Sequence, residues 1–194
     1  VTAPMVFVCE GTGMSFAEHS PLRAILHESG LPSKVVEYPS VFFPFPYDAM
    51  VRRGVEMTVA AVRGFVTENP GRAVRLIGYS LGARIAGDAL VTLAREVDDI
   101  AGVLISDPRQ PGTGMEVRRH GWRLPGITMI GERDPIDCRV LRVAAAGDPI
   151  CSNAGLLGYF LHHSNYHRML YGGQRLFAWI AQRLAHPPNQ TVIV

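Results

Sequence analysis

Apolar positions along the chain follow two periods, and the two alternate. Residues 5–9 (Met-Val-Phe-Val-Cys) form a short apolar run ending near glycines, which reads as a strand. Residues 21–29 carry apolar side chains at helical spacing and stop at Gly30. Residues 34–39 read as a short strand. From 47 to 66, Val51, Val55, Val59, Val62 and Val66 recur at three and four, predicting an amphipathic helix that Asn69-Pro70-Gly71 ends. Residues 73–79 predict a buried strand, 82–97 a helix and 100–106 the next strand. Residues 126–131 offer a further strand, and 139–145 alternate as another. The last helix is expected over 166–185, closed by Pro187-Pro188. Strand and helix in series predict an α/β fold, a central parallel sheet with helices on both faces. In such a sheet, sites collect in the loops beyond the strand ends, and 107–126 and 147–165 are the long irregular segments.

Composition narrows the function classes. The chain has 194 residues, 47% of them apolar and 19% charged, which predicts one ordered domain over 1–194. A net charge of +2 with scattered arginines argues against nucleic acid as a partner. No apolar run reaches the roughly 18 residues of a membrane span. The start, Val-Thr-Ala-Pro-Met, lacks a basic n-region, so no signal peptide is expected. The three cysteines, Cys9, Cys138 and Cys151, make no disulfide framework and no zinc spacing; Cys9 reads as a small buried hydrophobe. No metal or cofactor is expected.

The chemistry starts at Gly78-Tyr79-Ser80-Leu81-Gly82, a G-x-S-x-G pattern between a predicted strand and a predicted helix. In that context the serine occupies a sharp, strained turn, and glycines on either side let strand and helix approach. The hydroxyl then sits at a helix N-terminus, where backbone N–H groups favour developing negative charge. A serine nucleophile needs a base, and the base an orienting carboxylate, expected in the order Ser, acid, His. The acids after Ser80 are Asp107, Asp134 and Asp148; the bases are His120, His162, His163 and His167. Asp134 follows a strand-like stretch and a glycine, an alternative position for the acid. Gly11-Thr12-Gly13 lacks the third glycine of a dinucleotide loop, since Phe16 stands there. As a loop after the first strand it can instead bring Thr12 to an oxyanion.

The segment Gly147-Asp148-Pro149-Ile150-Cys151, followed by His163-Ser164-Asn165-Tyr166, resembles the acid and base motifs of cutinase-like serine esterases. The elbow matches theirs except for Leu81, where glutamine is usual. That residue acts through its backbone N–H. Residues 8–15, 38–46 and 106–112 look more particularly like the lysin B esterases of phages infecting mycobacteria and their relatives. Those enzymes cleave the ester joining mycolic acids to arabinogalactan. The resemblance covers roughly residues 5–185. It implies a small, lidless α/β-hydrolase with Ser80 as nucleophile, His163 as base and Asp148 as its orienting acid. Thr12 and Leu81 would hold the oxyanion. It also implies an acyl ester or lipid-linked cell-wall substrate, on which the protein acts as a monomer after release at host lysis. A cytoplasmic esterase fits equally.

Two departures qualify the resemblance. Only fourteen residues separate Asp148 from His163, whereas lysin B inserts a helical segment there. The family's cysteine after the acid pairs with one shortly before it. Here the strand between Cys138 and Cys151 spans roughly 23 Å, against the about 7 Å that a disulfide allows, so they are expected unbonded. Asp134 or His167 in place of the assigned partners, acyl transfer, and a non-catalytic lipid-binding relative remain the alternatives. The apolar stretches 41–46 and 155–161 would either grip an acyl chain or fill the core.

Overall fold

The computed structural model describes residues 2–13, 20–40, 46–152, 163 and 173–194. Six strands make one sheet: β1 (Met5–Cys9), β2 (Ser33–Val35), β3 (Val74–Tyr79), β4 (Ile100–Ile105), β7 (Arg139–Ala144) and β8 (Gln190–Ile193). Their spatial order is β2-β1-β3-β4-β7-β8, and every neighbouring pair is parallel. Successive side chains of a strand point to opposite faces. Val6, Val8, Ile77, Val103 and Leu141 therefore meet α1 (Pro21–Ser29) and α5 (Gly173–Leu184) on one face. Phe7, Cys9, Leu76, Leu104 and Val140 meet α2 (Tyr47–Glu68) and α3 (Leu81–Leu93) on the other. The expected α/β architecture is thus present, with a helical layer on each side.

Local chemistry explains the helix limits. At the start of α1 the Ser20 hydroxyl accepts the Leu22 N–H at 3.2 Å, and Pro21 has no N–H to leave unpaired. Gly30 closes α1 in the left-handed region at φ 63°. In α2, Val51 and Val62 are buried, while Val55, Val59 and Val66 pack partly buried on the same core. The first turn of α3 directly follows β3, and nearly all of its side chains are buried.

Four expectations about elements need correction. β2 ends at Val35, because β1 beside it turns away after Cys9 and Pro39 has no N–H to continue a ladder. Of 126–131 only β6 (Ile127–Thr128) is strand. It pairs antiparallel with β5 (Arg123–Leu124) in a separate hairpin around Pro125-Gly126, and β7 takes the place beside β4. The helix expected over 82–97 ends at Leu93. Beyond Pro187-Pro188 the chain adds β8 alongside β7, which the sequence reading did not foresee. The expected start of the last helix, 166–172, lies outside the described residues, as do 41–45 and 155–161.

All three cysteines are free, as expected for Cys138 and Cys151. Cys9 is wholly buried, and burial pushes its thiol up to about 12. No helix among the described residues is long and apolar enough to cross a membrane.

Candidate active site

The sheet order places β1 and β3 side by side while their connections leave in opposite directions, so a crevice opens at their carboxyl ends. Register brings the relevant turns together. Cys9 stands opposite Gly78, Tyr79 opposite Ile105, and Ile105 opposite Val143. The turns that begin at Glu10, Ser80 and Ser106 are therefore neighbours, and the turn of Asp148 follows β7 beside them.

Ser80 has φ 55° and ψ −119°, a strained conformation for a residue with a side chain. The glycines around it answer to close contacts. A Cβ on Gly78 would run into the Gly82 carbonyl, and one on Gly82 would overlap the Cys9 carbonyl. The turn is held by Ser80 N–H donating to the Ile105 carbonyl at 3.0 Å.

The Ser80 hydroxyl lies 3.0 Å from His163 Nε2. On the other side of that ring, Nδ1 is 3.1 Å from both carboxylate oxygens of Asp148. The carboxylate at Nδ1 places the proton there and leaves Nε2 to accept from the serine. Asp148 is fully buried, and His163 is 5% exposed. Burial by itself would raise the Asp148 carboxyl. The hydrogen bond and charge of His163, the Ser106 hydroxyl and the Ile150 N–H (2.9 Å) outweigh it and hold the carboxyl below its usual 3.8. Asp148 is thus an anion in the neutral range. A hydroxyl, an imidazole and a buried carboxylate in this chain can move a proton off the hydroxyl and stabilise the imidazolium that results.

The other sequence candidates lie elsewhere. Asp107 is buried but forms an ion pair with Arg133 and accepts the Arg109 N–H. Asp134 and His120 are exposed on the surface. His162 and His167 lie outside the described residues. Leu81 is the first residue of α3, so its N–H is one of the unpaired helix-end donors beside Ser80. Gly11 packs against Tyr79 and Ser80, a Cβ there standing 3.5 Å from the Ser80 Cβ, and Thr12 is the next residue of that turn.

Two residues of the site escaped the sequence reading. Ser106, directly after β4, has φ 55°, donates its hydroxyl to Asp148 Oδ2 and lies 3.0 Å from His163 Nδ1. Tyr79, inside the motif, stacks its ring on that of His163 at 5.4 Å and donates its hydroxyl to the His163 carbonyl. No cluster of three His, Cys, Asp or Glu side chains able to hold a metal occurs among the described residues. A cleft of about 470 Å³ between α2, α3 and the β5–β6 hairpin includes none of Ser80, Asp148 and His163.

A family model described as Cutinase matches residues 10–184. No curated protein sequence matches significantly. Among solved structures, an acetylxylan esterase is similar at 20% identity with a TM-score of 0.66, covering 94% of this chain and 98% of its own. A cutinase-like protein from Cryptococcus sp. is similar at 17% identity and TM-score 0.63, covering 95% and 98%. Lysin B from mycobacteriophage D29 aligns over 58% of this chain and 50% of its own, at 20% identity and TM-score 0.49.

Proposed function

The chain belongs to the cutinase family of carboxylic ester hydrolases, and from that premise we propose that Ser80, His163 and Asp148 are its catalytic triad. The observation that carries the proposal is the Ser80–His163–Asp148 chain of contacts, 3.0 and 3.1 Å. Ser80 Oγ attacks the ester carbonyl while Nε2 of His163 takes its proton. Asp148 stabilises the imidazolium. The tetrahedral oxyanion is held by the N–H groups of Leu81 and Thr12. His163 then protonates the leaving alcohol, and water repeats the sequence to release the acid.

Within carboxylic esters, the substrate we propose is the mycolic acid–arabinogalactan ester of mycobacterial-type walls, reached by a monomer after host lysis. What supports it is the similarity of residues 8–15, 38–46 and 106–112 to lysin B esterases. Hydrolysis of p-nitrophenyl esters from about two to sixteen carbons, beside release of mycolic acid from isolated cell wall, tests both levels. Turnover abolished by Ser80→Ala is expected in each. Small-ester turnover without mycolate release overturns the substrate and keeps the triad; turnover retained by Ser80→Ala overturns the triad.

A further inference from the structure

Three of the large apolar side chains left most open to solvent fall on one hairpin. Trp122, Leu124 and Ile130 are 47, 48 and 47% exposed. Leu124 lies in β5, Trp122 just before it, and Ile130 two residues beyond β6, where it also lines the cleft against α2; the hairpin is closed by Met129 N–H donating to the Trp122 carbonyl at 3.0 Å. The fifteen residues from Val117 to Gly131 include Arg118, Arg119, Arg123 and His120 and contain no acid. Arg119 and Arg123 are exposed and form no ion pair among the described residues. Glu132, exposed, follows this run directly, and its Oε1 accepts the Gly112 N–H at 3.1 Å. Glu116 accepts from Arg84 and from Tyr47, and Asp48 accepts the Thr128 N–H and hydroxyl, each at 2.8 Å.

The hairpin extends from a short helix bonded to the turn that carries Asp148. At its base α4 (Met115–Arg118) donates the Met115 N–H to the Ile150 carbonyl at 2.8 Å. Arg118 Nη2 donates to the carbonyls of Pro149 (2.9 Å) and Ser152 (2.8 Å). These belong to the turn that carries Asp148. On its other side, the Asp48 bonds fix the hairpin to the N-terminus of α2, at the carboxyl end of the sheet. The hairpin is thus tied on both sides at the carboxyl end of the sheet, where Ser80 also lies.

Aromatic and aliphatic side chains set beside two exposed arginines match the chemistry of a lipid–water boundary that carries negative charge. We propose that residues 119–130 form a docking element for an anionic phospholipid surface. Trp122 and Leu124 enter the headgroup layer, Arg119 and Arg123 meet lipid phosphates, and the carboxyl end of the sheet, where Ser80 lies, is turned toward the interface. The excess of arginine over acid within residues 117–131 is what selects this occupant over a neutral lipid surface or a second copy of the chain. Docking in this way is independent of ester chemistry at Ser80.

The test is sedimentation of the whole chain with phosphatidylglycerol vesicles and with phosphatidylcholine vesicles. Binding to the anionic vesicles, weakened by salt, is expected. Arg119→Gln combined with Arg123→Gln should weaken it about thirtyfold. Brominated lipid should quench emission in the parent protein but not in Trp122→Phe, where Trp179 remains as the only indole. Circular dichroism of each variant verifies folding. Equal binding to both vesicle types, no binding to either, or self-association abolished by the same substitutions would overturn the proposal.

Discussion

Ser106→Ala isolates one hydroxyl. Alanine and serine both carry a Cβ and meet the same backbone cost at φ 55°, so the comparison reads the loss of the oxygen alone. That oxygen donates to Asp148 Oδ2, which also meets Nδ1 of His163 and the weak Cys151 thiol at 3.4 Å. A hydrogen bond to a buried charge contributes about 1.5–3 kcal/mol. The variant should lose about that much stability at neutral pH. The loss should also depend on pH in a definite direction. Burial raises the folded carboxyl, and the hydrogen bond and charge of His163 together with this bond hold it below 3.8, so the stability the bond gives is full above that value and disappears as the pH falls through the lowered one. Denaturant titrations of both proteins should therefore differ at pH 7 and converge in acid. If Ser106 also orients Asp148 for catalysis, the same energy appears in kcat/KM as a roughly 10–100-fold fall. Ser106→Gly relieves the backbone and still lacks the oxygen, so it should not recover activity. Unchanged stability at pH 7 together with unchanged kcat/KM in Ser106→Ala would refute the reasoning.

Two further substitutions test other buried charges. Glu10 is 3% exposed, and burial raises its carboxyl from 4.5 to about 7, partly offset by the Ser20 hydroxyl at 2.8 Å. A raised carboxyl makes the folded state hold its proton longer, so stability is greatest below about pH 4.5 and falls until about pH 7, by up to about 3 kcal/mol. Glu10→Gln should flatten that slope in thermal melts, and a slope equal to the parent's would contradict it. Glu116 is fully buried and accepts from Arg84 Nε and the Tyr47 hydroxyl, both at 2.7 Å. Glu116→Gln leaves Arg84 with Asp88 as its remaining carboxylate, which should cost about 3 kcal/mol, or roughly 6–12 °C in Tm. A melting temperature within about 2 °C of the parent would show that the pair is dispensable.

The fold was legible where side-chain period and punctuation agreed. α1 has Ser20 before Pro21 at one end and Gly30 at the other, and α2 has its valine stripe between Pro46 and Asn69-Pro70. It was illegible where one signal masked another. Pro187-Pro188 ended a helix but did not end the sheet, and Thr191-Val192-Ile193 went unread as β8 although two of the three are β-branched apolar residues. Residues 126–131 have a strand-like composition, yet Pro125-Gly126 folds them back on Arg123-Leu124, a choice set by the Asp48–Thr128 bonds across the molecule.

The site divides in the same way. Ser80 could be found because its strained turn requires glycines at fixed offsets, a local constraint. Asp148 and His163 were singled out by a resemblance, since the residues themselves left Asp134 and three other histidines open. Asp107 shows why: it follows a strand as Asp148 does, and only its ion pair with Arg133 removes it from contention. Ser106 gave no signal. Its position beside Asp148 follows from the register of β4 on β7 and from a left-handed turn at a serine, and neither is written in local spacing.

The central claim, that His163 and Asp148 activate Ser80 as a nucleophile, is tested most directly by covalent labelling. The folded protein is incubated with a fluorophosphonate, and the modified peptide is located by mass spectrometry. The account predicts a single adduct on Ser80, formed at least a hundredfold more slowly in His163→Ala. An adduct at another residue, or labelling of Ser80 at an undiminished rate in His163→Ala, would contradict it.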